Sequence, residues 1–139
     1  FVNSDRVMKE ATPAKKAQQK LEKEFEKRDQ DLQRIAKQLQ GMQEALEKNS
    51  MTMGEGERRT KEREFNDLNR EFQRKQREFR EDLNQRRNEE LAGVLERANK
   101  TIKQIAEADK YDIIFQEAVY ASPRIDITDK VIKALSEAK

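Results

Sequence analysis

Apolar residues spaced alternately by four and three positions run through the first third of the chain. Leu21, Phe25, Leu32, Ile35, Leu39, Met42 and Leu46 follow this rhythm, with Arg28 in its single gap. Such spacing is the seam of a coiled-coil helix. It predicts a helix over 13–49, with Thr12 as N-cap and Pro13 at the first helical position, where its missing N–H costs nothing. A second seam, Phe65, Leu68, Phe72, Lys75 and Phe79, steps by 3, 4, 3 and 4. Between the two, residues 49–56 carry Gly54, Gly56 and weak helix formers, so the chain is expected to fold back there. With the turn near Met53-Gly54, residues whose numbers sum to 107 face each other: Met42 meets Phe65, Leu39 meets Leu68 and Ile35 meets Phe72, with Phe25 beside Asp82-Leu83. Both seams align in this one antiparallel register, which describes an αα-hairpin with its tip near 50–56. Arg28 lands near Phe79 and Lys75 near Leu32. Their aliphatic stems are expected to cover the rings while the charges reach water.

The returning helix, predicted over 57–108, outruns its partner. Leu91, Leu95, Ala98, Ile102 and Ile105 continue the periodicity and present an apolar face to something else. Tyr111-Asp-Ile-Ile-Phe-Gln116, Val119-Tyr-Ala121 and Phe1-Val-Asn3 are β-like runs. A short helix over 5–11 is capped by Ser4. A final helix is capped within Asp126-Ile-Thr-Asp129, and its Val131, Ile132, Leu135 and Ala138 share one face. The expected fold is therefore mainly α with a small β body. Residues 1–12 and 109–139 form the body, and residues 13–108 form the coiled-coil hairpin. Two or three short strands and one short helix are too little for an independent core, so self-association through the body is the economical remedy.

Composition narrows the function. The 139 residues are 42% charged and 34% apolar, against roughly 25% and 45–50% in ordinary soluble domains, so no large globular core is available. Thirty Lys and Arg against 28 Asp and Glu leave +2, which argues against a dedicated nucleic-acid binder. No Cys and no His are present, which removes thiol nucleophiles, Ser-His triads and most transition-metal sites. The expectation is a protein that is not an enzyme and needs no cofactor or metal. Residues 1–4 show neither a basic n-region nor an apolar h-region, so any signal peptide is expected to lie outside this sequence.

Three groups of side chains carry candidate chemistry. Met42, Met51 and Met53 sit at or near the tip, and methionine is common on promiscuous binding surfaces, although a tip loop packing on itself is the plainer reading. Lys75, Arg86 and Arg87 could share one helix flank and take a phosphate or an anionic glycolipid headgroup. The plainer reading is a solvated face laced by Glu78, Glu81, Glu89 and Glu90. Phe65, Phe72 and Phe79 read first as seam packing, and second as rings facing a cavity. Carboxylate pairs such as Glu62/Glu64 and Glu89/Glu90 come with no pocket, His or phosphate loop.

Taken in order, these parts resemble the Skp/OmpH periplasmic chaperones of Gram-negative bacteria. The resemblance rests on Phe1-Val-Asn-Ser-Asp-Arg-Val7, Tyr111-Asp-Ile-Ile, Val119-Tyr-Ala-Ser-Pro123 and Asp126-Ile-Thr-Asp-Lys-Val-Ile-Lys-Ala-Leu135, with a charged hairpin between. It implies a homotrimer in which a β-rich body joins the subunits and three hairpins enclose a cavity. It further implies a periplasmic, ATP-independent role in holding unfolded outer-membrane proteins; whether lipopolysaccharide or an anionic membrane surface also binds, at Lys75, Arg86 and Arg87, is left open by the residues. By position, Phe1 to Ser4, Ile113 to Phe115 and Val119 to Ala121 would build the trimer body. Val2, Leu91, Leu95, Ile102, Ile113, Phe115 and Val119 are the body residues expected at or near the contacts. One departure concerns charge. Residues 43–64 hold six acids and five bases, so the tip is near neutral, and any steering charge should lie with Arg70, Arg74, Lys75, Arg77 and Arg80. Client binding is therefore expected at Met42, Met51 and Met53 and at Arg70, Arg74, Arg77 and Arg80. The rival readings are a structural coiled-coil spacer without clients and, further off, a nucleic-acid binder.

Overall fold

The two long helices form where the heptad seams predict them. In a computed structural model, which describes residues 1–137, α1 spans Ser4–Glu10, α2 Thr12–Asn49, α3 Glu55–Asp109 and α4 Thr128–Glu137. Charge pairs one turn apart support the exposed faces, among them Arg59–Glu55 at 3.0 Å and Arg74–Glu78 at 3.2 Å. Each contributes only a few tenths of a kcal/mol. α3 ends in a Schellman arrangement: Lys110 adopts a left-handed φ of 60°, and the Tyr111 N–H donates to the Ala106 carbonyl at 2.9 Å. The cap of α1 is Asn3 and not the expected Ser4; its side-chain oxygen accepts from the Arg6 N–H at 3.1 Å. At α4 the Asp126 carboxylate accepts from the Thr128 N–H at 2.9 Å and from the Thr128 hydroxyl. These bonds, the hydroxyl's first, hold the Asp126 carboxyl below the usual range.

The described chain divides into two units, Phe1–Glu22 with the chain from Gln85 onward, and Lys23–Asn84. In the first, Val2, Val7, Ala11, Ala98, Val131 and Leu135 form the core, with Ile102, Ile105, Ile114, Ile127 and Ile132 packed against it. Val131 and Leu135 realise the apolar face expected of α4; Ala138 lies outside the described residues. The α3 seam here runs through Val94 and Ala98, which are buried, whereas Leu91 and Leu95 are exposed. The periodicity of Leu91 and Leu95 therefore traces a neighbouring stripe of the same helix, turned away from this core.

The β body differs from expectation. Among the described residues no strand forms. Residues 1–3 are held by single bonds on either side: Val2 N–H to the Phe115 carbonyl at 2.9 Å, and Ile127 N–H to the Phe1 carbonyl at 2.9 Å. The N-terminal ammonium of Phe1 also donates to the Ile125 carbonyl, and the Asn3 N–H to the Thr128 hydroxyl, both at 2.9 Å. A ladder needs successive bonds between neighbouring strands, and one chain brings only isolated ones to residues 1–3.

The second unit is the hairpin. The turn closes with Thr52 and Met53 N–H groups on the Asn49 carbonyl at 3.0 and 2.9 Å. Phe25, Ile35 and Leu39 of α2 are buried, while Phe65, Leu68, Phe72 and Phe79 of α3 are half-buried. Phe25 and Phe79 meet edge to face with centroids 5.6 Å apart. The Arg28 guanidinium lies 5.4 Å from the Phe25 centroid and 5.7 Å from that of Phe79, and it bonds Asp82 at 2.9 Å. The charged head, rather than the aliphatic stem alone, thus covers the rings. The Lys75 ammonium reaches both Asp31 and Glu71 at 3.5 Å.

Candidate functional site

Near the turn, α2 offers apolar or small residues where α3 offers charges. Met42, Ala45 and Leu46, with Gly41 beside them, line a groove together with Met53 of the turn and Glu57 of α3. Met42, Leu46 and Met53 are half-buried, and the α3 residues that line the groove with them, Glu57, Lys61 and Glu64, are all charged. Met51 does not join this groove; it is 97% exposed. Two of the three expected tip methionines therefore share one site and the third stands in solvent.

Arg70, Arg74, Arg77 and Arg80 are all exposed on α3. Arg74 is paired with Glu78. Of the candidate anion ligands, Lys75 is shared between Asp31 and Glu71, and Arg86 bonds Glu89 at 2.7 Å and Glu90 at 2.9 Å. Glu90 also holds Lys20 at 3.0 Å. The carboxyl of Glu89 is lowered chiefly by Arg86, that of Glu90 by Lys20 and then Arg86, and that of Asp31 by Arg34. Arg87 is exposed. Phosphate binding at Lys75 and Arg86 would compete with these carboxylates.

The expected body residues separate into two classes. Val2 and Ile102 belong to the chain's own core or pack against it. Leu91, Leu95, Ile113, Phe115 and Val119 are exposed, Val119 completely, and Tyr120 and Ile125 are exposed beside them. Val94 is a core residue that the seam pattern misses. Its signal is present at a spacing of four before Ala98, but Leu91 and Leu95 compete for it in the pattern. Among the described residues no group of three His, Cys, Asp or Glu is placed to hold a metal ion, and no helix is long and apolar enough to cross a membrane.

A family model for OmpH-like outer membrane proteins matches residues 1–135. Comparison with curated proteins yields no match. Among solved structures, the fold is similar to that of a Caulobacter crescentus CB15 protein described as an OmpH-like outer membrane chaperone. The TM-score is 0.81 at 20% identity, over 97% of this chain and 81% of the other. With nearly its whole length matched by the family model, and its helices arranged as in that structure, the chain belongs to the OmpH-like outer membrane protein family.

Proposed function

We propose that the chain is an ATP-independent holdase chaperone of the periplasm, which keeps unfolded outer-membrane β-barrel proteins from aggregating. The observation that carries this reading is apolar surface the chain's own fold leaves uncovered, in a member of the OmpH-like family. Ile113 at 66%, Phe115 at 58%, Val119 at 110% and Tyr120 at 80% exposure lie close together in sequence. Backbone groups of residues 111–121 that find no ladder in one chain would find it in a second and third copy. The β body then forms on assembly into a homotrimer, where edges pair between subunits. Val2 supports that body from within, while Leu91 and Leu95 meet neighbouring subunits.

The hairpins of such an assembly would border a cavity with mixed charge and sparse apolar contacts. Such a wall binds an unfolded chain at many weak points and holds its strand edges away from other chains. The tip methionines supply adaptable apolar contact, and Arg70, Arg74, Arg77 and Arg80 supply charge for acidic stretches. No nucleotide, metal or catalytic step enters this scheme.

The test is light scattering coupled to size exclusion, with and without a β-barrel protein diluted from urea. The expected result is a species of three 16.4 kDa chains that retains the client in a soluble, stoichiometric complex. A monomer or dimer that leaves the client to aggregate would overturn the reading in favour of a coiled-coil spacer.

A further inference from the structure

The groove at the hairpin end is a mismatch within an otherwise consistent coiled coil. Seam burial stops at Leu39, which is 8% exposed. Beyond it α2 keeps its apolar rhythm, with Phe65 opposite Met42 in the 107 register, but the α3 residues that line the groove are the charged Glu57, Lys61 and Glu64. A local pattern that conflicts with its surroundings is where function, rather than folding, tends to set the residues. The opening measures about 610 Å³, within the roughly 300–1,000 Å³ of pockets that bury small ligands. Gly41 lines it, and a Cβ at that position would meet nothing within 4 Å, so there is room there for a side chain.

The rim charges decide the kind of occupant. Lys61 lies 3.8 Å from Glu64, Arg58 3.7 Å from Glu62 and Arg59 3.0 Å from Glu55. Glu57 has no ion-pair partner among the described residues, so the uncompensated charge on the lining is negative. We propose that this groove is a docking site for one large apolar side chain of an unfolded segment, selected by a lysine or arginine beside it. Met42, Leu46 and Met53 take the apolar group, and the Glu57 carboxylate takes the cation. The proposal rests on the chaperone reading and adds a sequence preference to it. That preference is opposite in charge to the one expected at Arg70, Arg74, Arg77 and Arg80.

The experiment uses the full chain and short, disordered, fluorescein-labelled peptides with a central Lys-Phe-Lys, Lys-Ser-Lys or Glu-Phe-Glu, read by fluorescence anisotropy. Lys-Phe-Lys should bind at least about tenfold more tightly than either control, as expected of one buried anchor with a paired charge. Gly41→Leu fills the groove from an open position and should abolish that advantage. Glu57→Lys, a change at an exposed position of the groove lining, should shift the preference towards Glu-Phe-Glu. Equal binding of the three peptides, or unchanged preference in both variants, overturns the proposal. So does an altered oligomeric mass of Gly41→Leu in sedimentation, which would make the groove a contact between copies. The parent chain is assayed alongside for retention of a urea-diluted β-barrel protein. Retention without peptide discrimination defeats the groove alone; loss of both defeats the chaperone reading itself.

Discussion

The unit around α1 and α4 and the unit formed by the hairpin solve burial differently. In the first, Val2, Val7, Val131, Thr128 and Leu135 are each at most 2% exposed. In the second, the best covered residue is Ile35 at 3%, followed by Phe25 at 6% and Leu39 at 8%. The cause is geometric. Two helices can cover one stripe of each other, whereas α1, α4, the base of α3 and the extended residues 1–3 cover a shared centre from several sides. A deep core fixes a fold, and a narrow seam leaves apolar side chains half-covered and available. The first unit thus combines a deep core with exposed apolar residues such as Ile113, Phe115 and Val119, whereas the second holds most of its seam side chains half-covered along its length.

The strongest way to break this contrast is to open the deep core. Leu135→Ala removes a side chain that is 1% exposed and should cost about 2–5 kcal/mol. Urea unfolding followed by circular dichroism gives the size of the loss. Hydrogen exchange locates it: amides of α4 should lose protection, while those of residues 30–40 in the hairpin keep theirs. Equal loss in both would show that the units do not differ in how they are held.

Next in size is the cap that starts α4. Asp126→Ala should cost about 0.5–2 kcal/mol, as loss of a capping carboxylate does. The same group carries a pH signature. Its folded pKa lies below the unfolded value of about 3.9, so its stabilisation is complete above that value and lost as pH falls through the folded pKa. Glu10, beside Arg6, is lowered in the same sense. Stability should thus be level from neutral pH to about 5 and decline below 4, less steeply in Asp126→Asn. An unchanged slope in that variant would remove Asp126 from the account.

How legible each region is in the sequence follows the same division. The hairpin is readable because a coiled coil writes its contacts at fixed spacing; register alone pairs Arg28 with Phe79. The charged head's placement between two rings is not, since a guanidinium over an aromatic face leaves no periodic mark. In the other unit, Val131 and Leu135 are readable from one helix face. The expected strands at 111–116 and 119–121 do not form, because β propensity reports side-chain fit to a sheet and cannot supply the partner strand. Leu91 and Leu95 hide Val94 in the pattern: it lies between them, and α3 carries two apolar stripes, of which that of Val94 and Ala98 turns towards the chain's own core while Leu91 and Leu95 stay exposed. The groove near the tip is partly visible. In the 107 register Leu46 faces Lys61, a mismatch written in the residue order itself, although nothing in that order shows that the space between the helices stays open.

A smaller effect probes the seam itself. Arg28→Ala removes a cation held over two rings and its bond to Asp82. The expected cost is about 1 kcal/mol, that of a partly solvated cation–π contact. Arg28→Lys should recover little of it, because a compact ammonium lacks the broad fork of donors with which the guanidinium lies near both rings and bonds Asp82 at once. Full recovery by lysine would mean that charge alone, and not the guanidinium fork, holds this point of the hairpin.

The smallest effect sharpens the comparison most. Met51 is 97% exposed, so Met51→Ser removes no packed surface and should change the urea midpoint by less than about 0.5 kcal/mol equivalent. On the chaperone reading, such an exposed apolar side chain is available for contact with a client. The same variant should therefore weaken retention of a urea-diluted β-barrel protein while its own unfolding curve superimposes on that of the parent. If both properties change together, Met51 packs in the turn and belongs to the fold. If neither changes, apolar contact at the tip is confined to the groove of Met42, Leu46 and Met53, and exposure alone is not what makes a residue of this hairpin useful.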